Sequence, residues 1–207
     1  MKTRKTNTKK RVLDGATRLI HTKGFRATSV GEIISAAGIR KGGLYHHFLS
    51  KDQIGLEVLE CMKRKFMEFL EETLSGNQPG EALEFFFNSV LLKHKEAGFV
   101  GGCIFGNMAL EMADDNKIFA ETTARVFSNW IQKIENVVHA AQENSQVRRD
   151  IPARLLAQHI VMAIEGGIML SRLTKDETPL KECLELLRKM LQLQLSVNSG
   201  LNSQEKS

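Results

Sequence analysis

The sequence predicts an all-α protein of about nine helices. Apolar residues recur at three- and four-residue spacing over most of its 207 residues, and strand-like alternation is scarce. Only three prolines are present, and glycines follow several of the apolar segments, as they do at helix ends. We expect an N-terminal three-helix unit over residues 1–51, a larger helical domain over 52–198 and a flexible tail over 199–207.

The distribution of charge separates these two units. The net charge is +5, but residues 1–51 carry a net +10 and the remainder a net −5. A strongly basic first quarter on a mildly acidic body predicts a polyanion-binding N-terminal unit. The alternative is a solvated basic tail.

The cysteines and the apolar segments indicate a cytoplasmic protein. Cys61, Cys103 and Cys183 are far apart and lack CxxC spacing, so neither a disulfide framework nor a metal site is expected. No apolar run has the length of a membrane span, and the N-terminus lacks the apolar segment of a secretory signal. We expect no membrane partner and no cofactor.

Three short helices are predicted in the basic unit. After a loose basic arm over residues 1–6, the first helix should run from residue 7 or 8 to Lys23 and end at Gly24. Thr28 or Ser29 should cap the second helix, which Gly38 ends, and the third should span about 40–47. Short helices joined by a glycine turn are typical of a helix-turn-helix unit.

The third helix has the composition of a helix that reads DNA. Leu44 and Phe48 are four residues apart and should form its buried back. The polar front can supply Arg40, Lys41, Tyr45 and His46. Gly42 and Gly43 remove side chains, which lets the backbone approach a duplex closely.

Six further helices are predicted in the body. Ser50 should cap the fourth helix, Asp114 and Asp115 should begin the seventh, and Asp150 should cap the eighth. The predicted spans are about 51–75, 79–96, 103–113, 114–144, 151–173 and 179–197.

A continuous stretch of about 45 residues, RVLDGATRLIHTKGFRATSVGEIISAAGIRKGGLYHHFLSKDQI, resembles the DNA-binding domain of the TetR family of bacterial transcriptional regulators. The matching motifs are GF…TS at 24–29, AAGI at 36–39, KGGLYHHF at 41–48 and the SK pair at 50–51. Family members often have Ser or Thr at the position of Gly43. The resemblance implies a homodimeric repressor that a small molecule releases from a palindromic operator.

The resemblance and the polar front together give the candidate DNA-contacting residues. Thr28 and Ser29 could instead serve only as helix caps. A basic arm should add non-specific affinity for DNA, unless it is simply solvated; its cations are Lys2, Arg4, Lys5, Lys9, Lys10 and Arg11. The candidates are Thr28, Ser29, Arg40, Lys41, Gly43, Tyr45, His46, His47 and Lys51.

The resemblance also implies dimerisation through the last two helices. Residues 157–173 are apolar almost all round, and the final helix has a leucine stripe. Both helices could instead serve only the core of their own protomer. The predicted interface residues are Ile164, Gly167, Leu184, Leu187 and Leu191.

An effector pocket in the larger domain is the last implication. Cys103 follows two glycines at a predicted helix start, where backbone N–H groups lower the pKa of a thiol, although it could also be a small packing residue. The aromatic residues could equally be plain core. The candidates are Phe66, Phe86, Cys103, Phe105, Met108, Phe127 and Trp130.

Three rival functions remain open at this point. An enzyme is not expected, because the sequence has no HExxH, GxSxG, P-loop or Rossmann glycine pattern. A thiol-based redox sensor on the same scaffold and an activator instead of a repressor are the other two.

Overall fold

A computed structural model describes residues 2–76 and 78–195, with side chains from residue 7 onwards. Nine α-helices and no strand lie in that part of the chain, so the predicted all-α class is confirmed. The helices are α1 Lys2–Lys23, α2 Val30–Ala37, α3 Lys41–Tyr45, α4 Lys51–Thr73, α5 Pro79–Glu96, α6 Ile104–Met112, α7 Lys117–Glu143, α8 Ala153–Thr174 and α9 Thr178–Leu191.

The two ends of the chain differ from the prediction. The backbone of α1 is helical from Lys2, where a loose arm was expected, because nothing in KTRKTN breaks a helix. The side chains of residues 2–6, with the arm cations Lys2, Arg4 and Lys5, lie outside the description. At the other end α9 stops at Leu191, since Gln192 is left-handed with a φ of 51°. The predicted tail over 199–207 lies outside the described residues.

Two predicted helix starts are wrong. Asn116 caps α7, because its side-chain oxygen accepts hydrogen bonds from the backbone N–H of Ile118 and Phe119. Asp115 instead forms an ion pair with Arg26. Asp150 does not cap α8, since its carboxylate binds the guanidinium of Arg148 at 2.5–2.7 Å.

The first three helices pack around a small shared core. Gly15 lets α1 approach α2 closely, because a Cβ there would lie 3.3 Å from Ala36 and Ala37. The buried side chains of this core come from every helix of the basic unit. They include Val12, Ala16, Ile20, Ile33, Ala37 and Leu44.

The same apolar cluster continues across the predicted domain boundary at residues 51 and 52. Phe48 before the boundary and Ile54 after it are both fully buried in it. Residues of α6 and α7 complete the cluster, among them Met108 and Phe119. A second cluster fills the body between α5, α7, α8 and α9. The N-terminal three-helix unit is therefore packed directly onto the body.

Helix α8 is the only helix of the described residues that is long and apolar enough to span a membrane by length and composition. Its most extensive contacts are with α7 and α9. Packing between these two helices accounts for the apolar residues of α8 that are buried, among them Ile160, Ile164 and Ile168.

Candidate nucleic-acid interface and effector site

The turn between α2 and α3 has the geometry of a helix-turn-helix unit. Ser29 caps α2 through a capping box, in which its hydroxyl accepts from the N–H of Glu32 while the Glu32 carboxylate accepts from the N–H of Ser29. Gly38 ends α2 in the left-handed region with a φ of 58°. Arg11 of α1 donates to the Gly38 carbonyl at 2.8 Å, which fixes the turn against α1.

Helix α3 separates an apolar back from a polar front as predicted. Leu44 and Phe48 are 1% and 0% exposed. Lys41, Tyr45 and His46 are exposed, and Arg40 is the exposed N-cap residue. The helix is shorter than predicted, because residues 46 and 47 form a turn and two glycines weaken its start.

Gly42 and Gly43 leave the front of α3 open. A Cβ added at either position meets no protein atom within 4 Å. Packing therefore does not require glycine here. The missing side chains leave room for the backbone of a docked duplex.

Thr28 is not available to DNA. Its side chain is fully buried, and its hydroxyl donates to the Gly24 carbonyl at 2.7 Å. The prediction of a phosphate contact at Thr28 is therefore wrong. The exposed Ser29 hydroxyl already bonds with Glu32, at 2.8 Å to the carboxylate.

Lys51 at the start of α4 has a structural partner. Its ammonium donates to the Arg26 carbonyl at 3.2 Å and lies 4.6 Å from the centre of the Phe25 ring. These contacts hold the α1–α2 loop against α4. The helix start itself still presents backbone N–H groups, which favour a phosphate.

His47 is half-buried at one end of an open, basic crevice between α1 and α4. The crevice measures about 970 Å³. Lys9 at its edge is paired with Glu57 at 2.6 Å. The lining residues are Lys9, Lys10, Leu13, Asp14, Thr17, Arg18, His47, Cys61, Met62, Arg64, Lys65 and Glu68.

The sequence patterns do not predict the contacts between the body and residues 21–29, which we call the α1–α2 segment. The Phe25 ring lies 5.0 Å from that of Phe119 in α7, and a Cβ at Gly55 would be 2.5 Å from Phe25. His21 forms a 2.8 Å hydrogen bond with the carbonyl of Gly102, just before α6. Glycine inside α4 was the one local sign of this close approach.

A second link joins the same segment to α6. The backbone N–H of Arg26 donates to the Glu111 carboxylate at 2.8 Å, and its guanidinium pairs with Asp115. The start of α6 is fixed to α8, since Arg172 donates to Asn107 at 2.8 Å and Asn107 donates to the Gly101 carbonyl at 2.7 Å. Helix α6 therefore contacts both the DNA-reading unit and α8.

The structure brings most of the predicted effector residues together. The ring of Phe66 lies 5.6 Å from that of Phe105 and 5.1 Å from that of Trp130. Phe127 lies 6.1 Å from Trp130. Phe86 is connected only through Phe69, and Met108 belongs to the core shared with the basic unit. We call Phe66, Phe105, Phe127 and Trp130 the aromatic cluster.

Cys103 is the N-cap residue of α6, but it is not an activated thiol. Its sulfur accepts a weak hydrogen bond from the N–H of Gly106 at 3.5 Å. Burial, together with the neighbouring carboxyl of Glu165, raises the pKa of Cys103 well above its usual value. The expectation of a lowered pKa at this helix start is wrong, because loss of solvent outweighs the backbone N–H groups.

The five predicted dimer-interface residues lie in the core of their own protomer. Ile164, Leu184, Leu187 and Leu191 are each at most 2% exposed. Gly167 is buried where α8 meets α9, and a Cβ there would lie 3.0 Å from Leu180. The exposed apolar residues of α8 lie on the opposite side of the helix.

An exposed apolar face lies on that opposite side. Met162, Met169 and Leu173 are 63%, 58% and 77% exposed and follow one helical stripe. Gly166 lies in the same stripe, with open space where a Cβ would be. Leu186 of α9 is 57% exposed. We call these five residues the outer face of α8 and α9.

The short helix α3, with a buried back, an exposed cationic front and a capped partner helix, defines a helix-turn-helix DNA-binding protein. Comparison with known proteins gives the same class. The tetR family of bacterial regulatory proteins matches residues 12–58, and the tetracyclin repressor-like C-terminal domain matches residues 79–187, more than half of the chain. The chain belongs to the TetR family of transcriptional regulators.

Relatives of this family resemble the chain over nearly all its length. The HTH-type transcriptional repressor DhaR of Mycobacterium sp. (strain GP1) is 24% identical over 189 residues, 88% of this chain and 91% of that protein. An HTH-type transcriptional regulator of Lactococcus lactis is 28% identical over 185 residues, 88% of this chain and 92% of that protein. The crystal structure of a TetR transcriptional regulator from Chloroflexus aurantiacus has a TM-score of 0.83 and 28% identity, covering 94% of this chain and 98% of that one.

Proposed function

We propose that the protein is a homodimeric, cytoplasmic repressor that binds a palindromic operator and is released from it by a small-molecule effector. The observation that carries this proposal is the front of α3. Arg40 and Lys41 are exposed at its start, beside two glycines at which an added Cβ would meet no protein atom within 4 Å. A cation in this position can bond to guanine O6 and N7 in the major groove, and such a contact discriminates by about 1–3 kcal/mol.

The exposed outer face of α8 and α9 supports the dimeric part of the proposal. One helix-turn-helix unit reads only a half-site, so a palindrome requires two. The outer face presents an apolar stripe that the protomer itself does not cover. Gly166 in its centre allows two α8 helices to approach closely.

The contacts of α6 suggest how an effector could change DNA binding. Helix α6 carries Phe105 of the aromatic cluster, and its Glu111 accepts a hydrogen bond from the backbone N–H of Arg26. Just before α6, the Gly102 carbonyl forms a hydrogen bond with His21 of α1. A ligand that prefers one position of α6 therefore biases the position of the DNA-reading unit. A ligand with equal affinity for both positions would change nothing.

The proposal is tested by fluorescence anisotropy on duplex DNA from upstream of the protein's own gene, with a random duplex as competitor and with rising salt. We expect tight binding. The logarithm of the binding constant should fall linearly with the logarithm of the salt concentration, with a slope of about −0.9 for each phosphate contacted. Arg40→Ala and Lys41→Ala should each reduce the preference over random DNA by about tenfold or more. Lys181→Ala, which also removes an exposed cation, is the matched control.

Two results would count against the proposal. Equal affinity for the upstream and random duplexes would show that no operator lies next to the gene. An undiminished preference in the Arg40→Ala and Lys41→Ala variants would show that α3 does not read the bases.

A further inference from the structure

Two buried polar atoms of the body have no hydrogen-bond partner among the residues that the structure describes. They are the indole Nε1 of Trp130 and the carboxyl Oε1 of Glu165. The Trp130 side chain is only 3% exposed. Buried donors and acceptors are nearly always paired, because an unpaired group has lost its bond to water without a replacement. Each of these atoms therefore indicates a missing partner.

A series of contacts through α6 and Phe66 connects Glu165 to Trp130. The Cα of Gly106 is so near Glu165 that a Cβ there would be 2.5 Å from Oε2. Phe105 precedes Gly106 in α6, and its ring contacts Phe66, which in turn lies edge-on to Trp130. Glu165 and Trp130 thus lie at the two ends of a short series of contacts through Phe105 and Phe66.

Glu165 lacks a counter-charge. No Lys, Arg or His nitrogen forms an ion pair with it in the described part of the chain. Burial raises the pKa of Glu165, and the neighbouring Cys103 thiol lowers it by a smaller amount. Buried charges in proteins are normally paired, so a cation would offset the burial of this carboxylate.

We infer that the aromatic cluster binds an organic cation, with its ammonium group at Glu165 and a hydrogen-bond acceptor on the same molecule at the Trp130 indole N–H. Aromatic faces attract a cation through their quadrupole, which adds to the charge of the carboxylate. A carboxylate ligand would instead be repelled by Glu165. The inference rests on the proposed effector response, since it names the chemical class of the effector.

The cluster has a side that solvent can reach. Phe66 and Phe127 are only partly buried, and both rings pack against the two core clusters where these meet. A ligand that displaces these two rings would enter at the junction of the cores. It would also contact α6, which carries Phe105.

The test uses four probes of similar shape with the intact protein: 4-methoxybenzylamine, 4-methoxybenzyl alcohol, 4-methoxybenzoate and benzylamine. Trp130 is the only tryptophan, so its fluorescence reports binding at this site alone. We expect 4-methoxybenzylamine to bind about tenfold or more tightly than the alcohol and the benzoate, the factor of one charge-assisted hydrogen bond. Glu165→Gln should abolish this preference, while the exposed Glu72→Gln should retain it.

The Trp130→Phe variant tests the hydrogen bond between the indole N–H and the acceptor on the ligand. Because this variant lacks the fluorophore, its ligand binding is measured by thermal denaturation. In the wild type the methoxy compound should stabilise the protein more than benzylamine does, and in Trp130→Phe the two amines should be equal. The inference is overturned if the wild type binds the amine and the alcohol equally, or if the preference for the amine survives Glu165→Gln. The comparison of probes on the wild type needs no variant and stands if a variant fails to fold.

Release from DNA is measured separately on the upstream duplex. Amine binding that depends on Glu165 but leaves the duplex bound would contradict the proposed effector response and leave the cation site standing. Release by a different compound, with no binding of either amine, would overturn the cation site and leave the proposed function standing.

Discussion

At the residue scale, Thr28 and Ser29 show that adjacent residues of one type can have different roles. Both were candidates for DNA contact because hydroxyl residues at a helix start can cap the helix or bind a phosphate. The buried Thr28 closes the turn on Gly24, and the exposed Ser29 caps α2. The sequence predicts a cap at this place, but burial decides which residue solvent can reach. Burial depends on how the helices pack in the folded chain, which the local sequence does not specify.

Cys103 is a second case in which local sequence is insufficient. Its position at a helix start is read correctly from GGC, but its neighbour Glu165 is 62 residues away in the sequence and comes from α8. No local pattern indicates that contact. The consequence can be measured directly.

We predict that Cys103 is alkylated slowly by iodoacetamide at neutral pH, because burial and the Glu165 carboxyl raise its thiol pKa. Cys61 lines the open crevice and lies 3.3 Å from the Arg64 guanidinium, so it should react first. Peptide mass spectrometry over a time course gives the two rates. Faster modification of Cys103 than of Cys61 would favour the thiol-sensor alternative.

His94 gives a prediction of pH dependence. Burial, followed by the charges of Lys93 and His21, lowers its pKa from 6.5 to about 4. Between these values the unfolded chain binds a proton that the folded chain does not, so stability falls as the pH is lowered.

We expect the melting temperature of the wild type minus that of His94→Asn to decrease as the pH is lowered from about 7 to about 4. Thermal denaturation at several pH values gives this difference. A constant difference over the whole range would contradict the assignment.

At the element scale, the helix ends that depend on local signals are predicted well. Gly24, Gly38 and Ser50 end or begin helices where expected, and α5 has its predicted bounds of Pro79–Glu96. The two wrong helix starts in the body, those of α7 and α8, involve aspartates whose partner is an arginine. Asp115 is bound by Arg26, 89 residues away, so the capping role passes to Asn116.

Helices α8 and α9 show a different limit of sequence patterns. Periodicity identified α8 and α9 correctly, but it selected the most regular leucine stripe, which packs inside the protomer. The outer face has only one leucine on each helix, together with two methionines and a glycine, so it forms no regular leucine stripe. Distinguishing two apolar faces of one helix requires the positions of α7 and α9.

We predict that Met169→Lys converts the protein to a monomer without unfolding it. A charge in the centre of the outer face must be desolvated in the dimer but is free in the monomer. Sedimentation velocity should show a dissociation constant raised by about tenfold or more. Leu110→Lys on α6, where the side chain is 86% exposed, is the matched control and should remain dimeric. Dimers of unchanged affinity for Met169→Lys would place the interface elsewhere.

We also predict that Gly55→Ala destabilises the protein by about 1–3 kcal/mol, because the new Cβ would overlap the ring of Phe25. Gly31→Ala in α2 is the control, since its Cβ would meet only Ser29 at 3.9 Å, and alanine is the better helix former. Urea denaturation gives both values. If Gly55→Ala has the same free energy of unfolding as the wild type, the ring of Phe25 does not pack closely against α4.

At the scale of the whole molecule, the described chain is organised around contacts that cross its predicted domain boundary. Two clusters of buried residues meet at Phe66 and Phe127, and one of them extends from Val12 in α1 to Val126 in α7. The sequence predicts two units from the change in charge. It does not predict that they share a core, because the residues concerned are ordinary apolar positions of separate helices. The shared core connects the body to α3, because Leu44 of α3 and Val126 of α7 belong to the same cluster.

The central claim, that two copies of α3 read a symmetric site, is tested most directly by selection of bound duplexes from a random pool. We predict that the selected sequences contain an inverted repeat whose half-sites are related by about one helical turn or a multiple of it. Arg40→Ala should weaken the consensus within each half-site while preserving the spacing, because the spacing depends on the dimer and the bases are read by α3. Selection of a single unrepeated half-site, or no enrichment over the starting pool, would contradict the claim.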